Sequence, residues 1–219
     1  MTEKRKSIIF VPTIQEAEAI FEGINFIKNR YDLFEGDFSD TKVVVSGITK
    51  TNIAYASTIM FHSYSFKNAF LIGIAGCYRN SNLTIGEVVC VENDYFVDEG
   101  LLIEGVLKMT NEIGFSVCND NTVQFQTIKG SKIVNANTVS FLSSFDKLAE
   151  IYFTKTGAEI ENMEGAAFGL ICERFKIPAY HIRGISNYCG DRKNQKWDLK
   201  KSFLNLKLFV KKVLFFKVQ

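Results

Sequence analysis

The sequence predicts a three-layer α/β/α sandwich, and three features of the chain indicate it. Short runs of aliphatic and β-branched residues alternate with segments whose apolar residues recur at helical spacing, as expected when helices cover a sheet. Several of the runs are apolar on both faces, as strands are when the sheet is covered on both sides. The length of 219 residues suits one domain with its own core, and no repeat, low-complexity tract or linker divides it.

The first half of the chain supplies two predicted strand–helix pairs. SIIFV (7–11) predicts a strand, and apolar residues at 17, 20, 21, 24 and 27 then share one face of a helix. KVVVSGI (42–48) predicts the second strand, and NIAYASTIMFHSY (52–64) predicts the second helix.

The second half continues the alternation. Four further strands are predicted at AFLIGIAG (69–76), EVVCVEN (87–93), GSKIVNAN (130–137) and AYHIRGIS (179–186). EGAAFGLICERF (164–175) predicts a helix that Pro178 closes, since proline cannot continue a helix. The segment from Tyr95 to Gln126 has no clear period, and we expect a β-excursion or a partner-facing loop there.

The last segment, KKSFLNLKLFVKKVLFFKVQ (200–219), predicts an amphipathic helix. Its apolar face carries Phe203, Leu206, Val210, Val213 and Leu214. A basic helix lying on a membrane surface would show this pattern. A last helix packed on the sheet with its lysines in water would show it too, and this second explanation is favoured because any surface helix has such a stripe.

The composition argues against several classes of function. The net charge of +2 offers no basic balance for nucleic acid. Five cysteines without a CxxC pair and only two histidines disfavour a disulfide framework, a zinc site and a Ser-His-Asp triad. No run approaches the roughly twenty apolar residues of a membrane span, and the apolar run after the basic N-terminus ends at Pro12, too soon for a signal peptide. We therefore expect a cytoplasmic protein without a metal.

Glycine-bearing segments close three of the predicted strands. They are SGITKTN (46–52), GIAGCY (73–78) and RGISN (183–187), and we expect each to form a turn. Ligands of open α/β sheets bind beyond the carboxyl ends of the strands, so a small molecule is expected here. None of the three is GxGxxG or a P-loop, which disfavours dinucleotides and nucleoside triphosphates. GIAG alone is also consistent with a tight strand exit where glycine lets backbones approach.

Two carboxylates and one arginine stand at the ends of predicted elements. Glu16 lies in the first turn of the first helix and Glu164 begins a later one, and the helix dipole alone favours a carboxylate at either place. Small residues follow Glu164 and leave room for a ligand. Arg183 ends an apolar strand, where a buried guanidinium needs polar partners. These residues are candidates for a small-molecule site.

These motifs together resemble the nucleoside phosphorylase and nucleosidase superfamily. The resemblance rests on VPTIQEAE, GIAGCY…IGEVV, and ENMEGAA followed by RGISN; it spans nearly the whole chain and is weakest from about 95 to 130. ENMEGAA and ISNYCGDRKNQKW are most similar to the futalosine hydrolases of menaquinone biosynthesis, whereas methylthioadenosine/S-adenosylhomocysteine nucleosidases typically show VEMEG and ISD. The resemblance implies a twisted mixed sheet, a homodimer, and hydrolysis of futalosine to hypoxanthine and dehypoxanthine futalosine without a metal or organic cofactor.

The resemblance also implies catalytic roles at four positions. Glu16 matches the acidic residue that activates the attacking water, and Glu164 matches the one that holds the ribose hydroxyls. Arg183 matches the arginine that orients the water and the carboxylates, and Asn187 matches the residue that meets the base. Such groups fit the chemistry, because N-glycoside cleavage passes through an oxocarbenium-like state and needs a positioned water and a general base.

Further positions match the substrate-binding residues of the superfamily. Met163 matches the residue against the sugar, Ile74 and Ala75 the backbone near sugar and base, and Val139 the purine-stacking position. Arg192 is our candidate for the carboxylate at the far end of futalosine, with Trp197 as a packing wall, although a solvated charge cluster explains Arg192 equally well. Two departures are Thr49, where glycine is common, and Ile74, where the methylthioadenosine enzymes have serine.

Three other functions stay open at this point. A methylthioadenosine/S-adenosylhomocysteine or aminodeoxyfutalosine nucleosidase would use the same residues on another nucleoside. A purine nucleoside phosphorylase would need extra cations for phosphate, and apart from Arg183 the only cation in the glycine-bearing segments is Lys50. A non-catalytic nucleoside-binding protein would have no need of Glu16, Glu164 and Arg183 together.

Overall fold

The computed structural model describes residues 7–215, and within them the chain folds around one large mixed sheet. Residues 1–6 and 216–219, which include the basic N-terminal stretch, lie outside the described part. The strands are β1 (Ser7–Val11), β2 (Ile27–Lys28), β3 (Phe34–Phe38), β4 (Thr41–Val45), β5 (Asn68–Cys77), β6 (Val88–Tyr95), β7 (Gly100–Ile103), β8 (Val106–Met109), β9 (Thr122–Gln124), β10 (Lys132–Thr138), β11 (Ile160–Asn162) and β12 (Ala179–Tyr188). The helices are α1 (Ile14–Ile20), α2 (Lys50–Ser63), α3 (Asp146–Thr156), α4 (Gly165–Phe175) and α5 (Leu199–Phe215).

The sheet order is β11-β10-β6-β12-β5-β1-β4-β3-β2, with β9 paired to β6. Strands β4, β1, β5 and β12 run parallel, whereas β6 runs antiparallel to β12. The short β11 pairs parallel with β10 and, at its other edge, antiparallel with the end of β5. The predicted mixed sheet is therefore confirmed.

Helices cover both faces of this sheet. Ile8 and Phe10 of β1 share a core with α2 and α4, while Ile9 and Val11 share a second core with α1 and α5. This division explains why the strands are apolar at consecutive positions, since alternate side chains enter different cores. The three-layer α/β/α arrangement predicted from the sequence is confirmed.

Several predicted elements differ in extent from the observed ones. The first helix ends at Ile20, and Gly23 takes a φ of +89°, so Ile24 and Ile27 lie beyond it and Ile27 is exposed. The expected turns GIAGCY and RGISN are wrong, because residues 73–77 lie within β5 and residues 183–187 within β12. Strand β2 begins at Ile27, where the first helical stripe was expected to continue, and β3 and helix α3 lie where no element was predicted.

The segment from 95 to 126 contains a β-hairpin outside the main sheet. Strands β7 and β8 pair antiparallel with each other, and β9 then returns to pair with β6. The expected β-excursion is confirmed. Leu101, Leu102, Ile103 and Val106 of the hairpin leave about half or more of their surface exposed.

Helix α5 packs against the sheet. Leu206 and Val210 are buried in the core that α1 shares, and Lys207 pairs with Glu22 at the surface. The packed-helix explanation is confirmed for this part of the stripe, whereas the side chain of Leu214 lies outside the described part. None of the described helices is long and apolar enough to cross a membrane.

Candidate active site

A cavity of about 200 Å³ opens at the carboxyl ends of β1, β5 and β12. Glu16, Glu164, Arg183 and Asn187, which the sequence predicts as site residues, all line it. So do Ile74, Ala75, Met163, Arg192 and Trp197. The position is the one expected of a ligand site in an open α/β sheet.

Glu16 is held at the start of α1. Thr13 caps the helix by accepting from the Glu16 backbone N–H at 3.2 Å, and its hydroxyl donates to Glu16 Oε2 at 2.6 Å. The Ile74 N–H donates to Oε1 at 2.9 Å and so ties the carboxylate to β5. Burial raises the pKa of Glu16 above its ordinary value, and these two hydrogen bonds oppose the rise. A buried carboxylate of this kind is suited to accept a proton.

Glu164 and Arg183 form a buried ion pair. Arg183 Nη2 lies 2.8 Å from Glu164 Oε2, and both side chains are almost completely buried. The Thr49 N–H donates to Glu164 Oε1 at 3.2 Å from a backbone with a φ of +88°. Glycine adopts this conformation without strain and threonine does not.

Arg183 is also tied to the strands around it. Its Nη1 donates to the Ile74 carbonyl at 3.0 Å, and its Nε donates to His181 Nε2 at 2.6 Å. Since that nitrogen accepts, the proton of the neutral imidazole sits on Nδ1, which faces Asp94 Oδ2 at 3.4 Å without a closer partner. Burial, and next the charge of Arg183, lower the pKa of His181 to about 4.

Asn162 organises the turn before α4. Its Oδ1 accepts from the backbone N–H groups of Glu164 (2.9 Å) and Gly165 (2.6 Å), the first donors of the helix. Its amide nitrogen donates to Asp94 Oδ2 at 2.9 Å. The sequence reasoning missed Asn162, Asp94 and His181, because their contacts join strands that are distant in the chain.

A β-bulge changes the direction of the side chains at the end of β12. The register with β5 shifts between Ile185 and Asn187, so that Asn187 faces Gly76. The Ser186 hydroxyl lies 2.8 Å from Asn187 Oδ1, and one amide hydrogen of Asn187 reaches the Tyr188 carbonyl at 3.3 Å. A primary amide carries two N–H donors, so one of them remains for a ligand.

The expected place of Val139 is wrong. Val139 is fully buried in a separate core with Tyr78 and Val97, and it does not line the cavity. Leu142 and Ser143, a few residues further along the chain, line it instead.

The mouth of the cavity holds an arginine over an aromatic ring. The guanidinium of Arg192 lies 4.9 Å from the ring centroid of Trp197, and Phe203 and Leu199 line the same region. Both Arg192 and Trp197 are exposed, so the charge is available to solvent or to a ligand. Within the described residues, no three His, Cys, Asp or Glu side chains cluster as a metal site would need.

Known proteins share this sequence pattern and fold. Residues 8–214 match the profile of the phosphorylase superfamily. A futalosine hydrolase from Thermus thermophilus is 28% identical over 180 residues, which cover 77% of this chain and 79% of that enzyme. A 5'-methylthioadenosine/S-adenosylhomocysteine nucleosidase from Bacillus cereus is 27% identical over 189 residues, with coverage of 77% and 78%.

Solved structures of two Helicobacter pylori enzymes have a similar fold. The futalosine hydrolase superposes with a TM-score of 0.78 at 18% identity, over 96% of this chain and 98% of that one. A mutant of the 5'-methylthioadenosine/S-adenosylhomocysteine nucleosidase, with 5'-methylthioadenosine in its active site, gives a TM-score of 0.77 at 18% identity, over 97% and 99%.

Proposed function

Because this chain belongs to the phosphorylase superfamily, we propose that it hydrolyses the purine–ribose N-glycosidic bond of futalosine. It is a nucleosidase of the family that includes the futalosine hydrolase and the 5'-methylthioadenosine/S-adenosylhomocysteine nucleosidase it resembles. The observation that carries the proposal is that one cavity holds the buried carboxylate Glu16, the ion pair of Glu164 with Arg183, and the amide of Asn187. The products would be hypoxanthine and dehypoxanthine futalosine.

Glu16 is the general base in this proposal. Its carboxylate would take a proton from a water positioned on the ribose face opposite the base. Burial and the raised pKa suit this role, because a general base works best when its pKa approaches the working pH. Thr13 and the Ile74 N–H fix the carboxylate, so the water would be met by an oriented group.

Glu164 and Met163 hold the ribose. The ion pair with Arg183 holds the Glu164 carboxylate in place, and a negative charge fixed beside the sugar would stabilise the positive charge that develops on it. Arg183 contacts both Glu164 and the Ile74 carbonyl beside Glu16, so it links the group that holds the ribose to the group that activates the water. No second cation is available for a phosphate among the described lining residues except Arg192 at the mouth. Lys50 is instead paired with Asp98 and Glu99 at 2.6 Å each, and this favours water over phosphate as the nucleophile.

Asn187 meets the purine. Its spare N–H can donate to the 6-oxo group or to a ring nitrogen of hypoxanthine without any change of protonation. Aspartate at this place would suit adenine better, because it can accept from the 6-amino group. This difference is our reason for choosing futalosine over 5'-methylthioadenosine.

A second candidate is hydrolysis of methylthioadenosine or aminodeoxyfutalosine. The Bacillus cereus nucleosidase is as similar to this chain as the Thermus thermophilus enzyme, at 27% against 28% identity. A substrate panel of futalosine, aminodeoxyfutalosine, methylthioadenosine and inosine separates the two, with release of the free base as the readout.

We further propose that the chain works as a cytoplasmic homodimer. The hairpin residues Leu101, Leu102 and Ile103, together with Phe115 and Phe141, expose large apolar side chains that a second subunit could cover. Light scattering of the purified protein tests this part of the proposal.

The experiment that tests the function uses phosphate-free buffer. Release of hypoxanthine from futalosine without phosphate is expected, and strict dependence on phosphate would contradict hydrolysis. Glu16→Gln should lower kcat by about 10²–10⁴-fold while leaving nucleoside binding largely in place. Glu18→Gln, on the exposed side of the same helix, is the matched control. Equal inertness of wild type and E16Q on the whole panel would favour a non-catalytic binding protein.

A further inference from the structure

Glu161 is a buried carboxylate that lines the cavity and has no part in the mechanism above. Its side chain is almost fully buried, yet it contributes to the cavity wall beside Gly76 and Asn187. Burying a carboxylate is costly unless it gains partners or a function. What Glu161 could contact follows from the strands around it.

Glu161 and Asn187 stand on either side of one glycine. In the register, Glu161 of β11 pairs with Gly76 of β5, and Asn187 of β12 pairs with the same Gly76 from the other edge. Paired residues of neighbouring strands point to the same face, and strands lie about 4.8 Å apart. The two side chains therefore flank a gap about two strand spacings wide.

The floor of this gap needs to be glycine. A Cβ at Gly76 would lie 2.8 Å from Cys189 Sγ and 3.2 Å from Asn187 Nδ2, so any side chain there would crowd the space between the two polar groups. The Glu161 carboxylate on one side, the Asn187 amide on the other and the side-chain-free Gly76 between them leave a space that suits the polar edge of a planar ring.

The hydrogen bonds of Glu161 leave it one acceptor position. Its Oε1 accepts from the Ser143 N–H at 2.9 Å, and its Oε2 accepts from the Ser143 hydroxyl and from Tyr78 at 3.3 Å. A carboxylate has about four lone-pair positions, so three are filled. These donors also fix the orientation of the carboxylate.

We propose that Glu161 and Asn187 together read the edge of a 6-oxopurine, with Glu161 accepting the N1–H and Asn187 donating to the 6-oxo or N7 side. The inference rests on the proposed function in that the cavity takes a purine. Hypoxanthine presents a donor at N1 and an acceptor at position 6. Adenine presents the reverse, so its N1 lone pair would face the Glu161 carboxylate with no proton between them. A mismatch of this kind is worth about ten- to hundredfold in affinity.

A purely structural role for Glu161 makes a different prediction. If it only anchored the loop at Ser143, replacing it would weaken every ligand equally. If Glu161 reads the base, Glu161→Gln should instead change the ratio of the affinities for hypoxanthine and adenine. Glutamine keeps an acceptor and adds an N–H that can donate to adenine N1.

The experiment measures binding of free hypoxanthine and free adenine by calorimetry to wild type, Glu161→Gln and Glu159→Gln. Glu159, two residues before Glu161 in the chain, is the matched control. Its carboxylate accepts the Asn135 N–H at 2.8 Å, and the residue does not line the cavity. We expect wild type and E159Q to favour hypoxanthine by tenfold or more and E161Q to lower this ratio by about ten- to hundredfold. An unchanged ratio in folded E161Q would overturn the proposal.

A measurement on wild type keeps the test decisive if E161Q does not fold. A hypoxanthine analogue whose N1–H is replaced by C–H should bind at least tenfold more weakly than hypoxanthine, and equal binding would overturn the proposal. Free bases carry no 5' group and undergo no hydrolysis. Preference for hypoxanthine without cleavage of futalosine would therefore overturn the proposed function alone. Cleavage of futalosine, with a hypoxanthine-to-adenine affinity ratio that E161Q leaves unchanged, would overturn only the role of Glu161.

Discussion

Acidification should destabilise this fold through one buried histidine. His181 is fully buried, accepts a hydrogen bond from Arg183 Nε at 2.6 Å, and has a pKa lowered to about 4, mainly by burial. Protonating it in the folded state would place two cations in contact. The unfolded chain, in which histidine titrates near 6.5, takes up the proton first.

The magnitude follows from these two pKa values. The folded state binds the proton more weakly, so its stability falls as the pH drops from about 6.5 towards about 4. The full gap corresponds to about 3 kcal/mol at about 1.4 kcal/mol per pKa unit, and about 2 kcal/mol of it is lost by about pH 5. This is a large part of the roughly 5–15 kcal/mol that a typical domain has.

The assay compares the urea unfolding of wild type and His181→Gln at about pH 7.5 and about pH 5. Glutamine can accept from Arg183 through its amide oxygen and does not titrate, so the change in the wild-type-minus-variant difference isolates His181. The matched control is His62→Gln, at the exposed end of α2. A wild-type-minus-H181Q difference that stays constant over this range would refute the reasoning.

Four further predictions concern the cavity. Thr13→Val removes a hydrogen bond that lowers the pKa of Glu16, so the acid limb of the kcat/KM profile should move to higher pH, whereas Thr13→Ser should leave it in place. Gly73→Ala should lower kcat/KM by at least about tenfold, because the added Cβ would lie 2.9 Å from both Glu16 Oε1 and Arg183 Nη1; steady-state kinetics measures it. Asn187→Asp should lose hypoxanthine nucleoside activity and gain relative activity on the adenine compounds, and an unmoved ratio of futalosine to methylthioadenosine turnover would show that the base is not read there. Arg192→Ala should raise KM for futalosine but not for methylthioadenosine, which has no carboxylate; an unchanged KM for futalosine would rule out the anchoring role.

Much of the fold could be predicted because the strands are buried on both faces. In β1, alternate residues enter separate cores, which makes the whole run apolar and easy to identify. Strands β2 and β3 were missed, since they stand at the edge of the sheet where exposed Ile27 and Phe34 break any pattern. The glycines of GIAG and RGIS misled in the opposite way. They lie inside strands: a Cβ at Gly73 would crowd Arg183, one at Gly76 would crowd Asn187, and one at Gly184 would crowd Leu206.

Site residues could be predicted from the sequence only where a polar residue type stands at an unusual position, such as the end of an apolar strand or the start of a helix. Glu16, Glu164, Arg183 and Asn187 were singled out in advance, and they line one cavity. Glu161 gave no such indication, because an acidic residue in a short polar segment is usually exposed. Its burial depends on β11 pairing with the end of β5, a contact between residues more than eighty positions apart that no local pattern records.

The environments of Glu16 and Glu164 assign them different tasks. Glu164 is in direct contact with Arg183 at 2.8 Å, so a cation is held against its carboxylate. Glu16 makes no direct contact with a cation among the described residues; burial raises its pKa, and the hydrogen bonds from Thr13 and Ile74 and the charge of Arg183 only oppose that rise. Of two carboxylates in one site, the one paired with a cation can act as a fixed charge and the one without a direct cation partner can act as a base. Arg183 supports both carboxylates, because it pairs directly with Glu164 and its charge also opposes the rise in the pKa of Glu16.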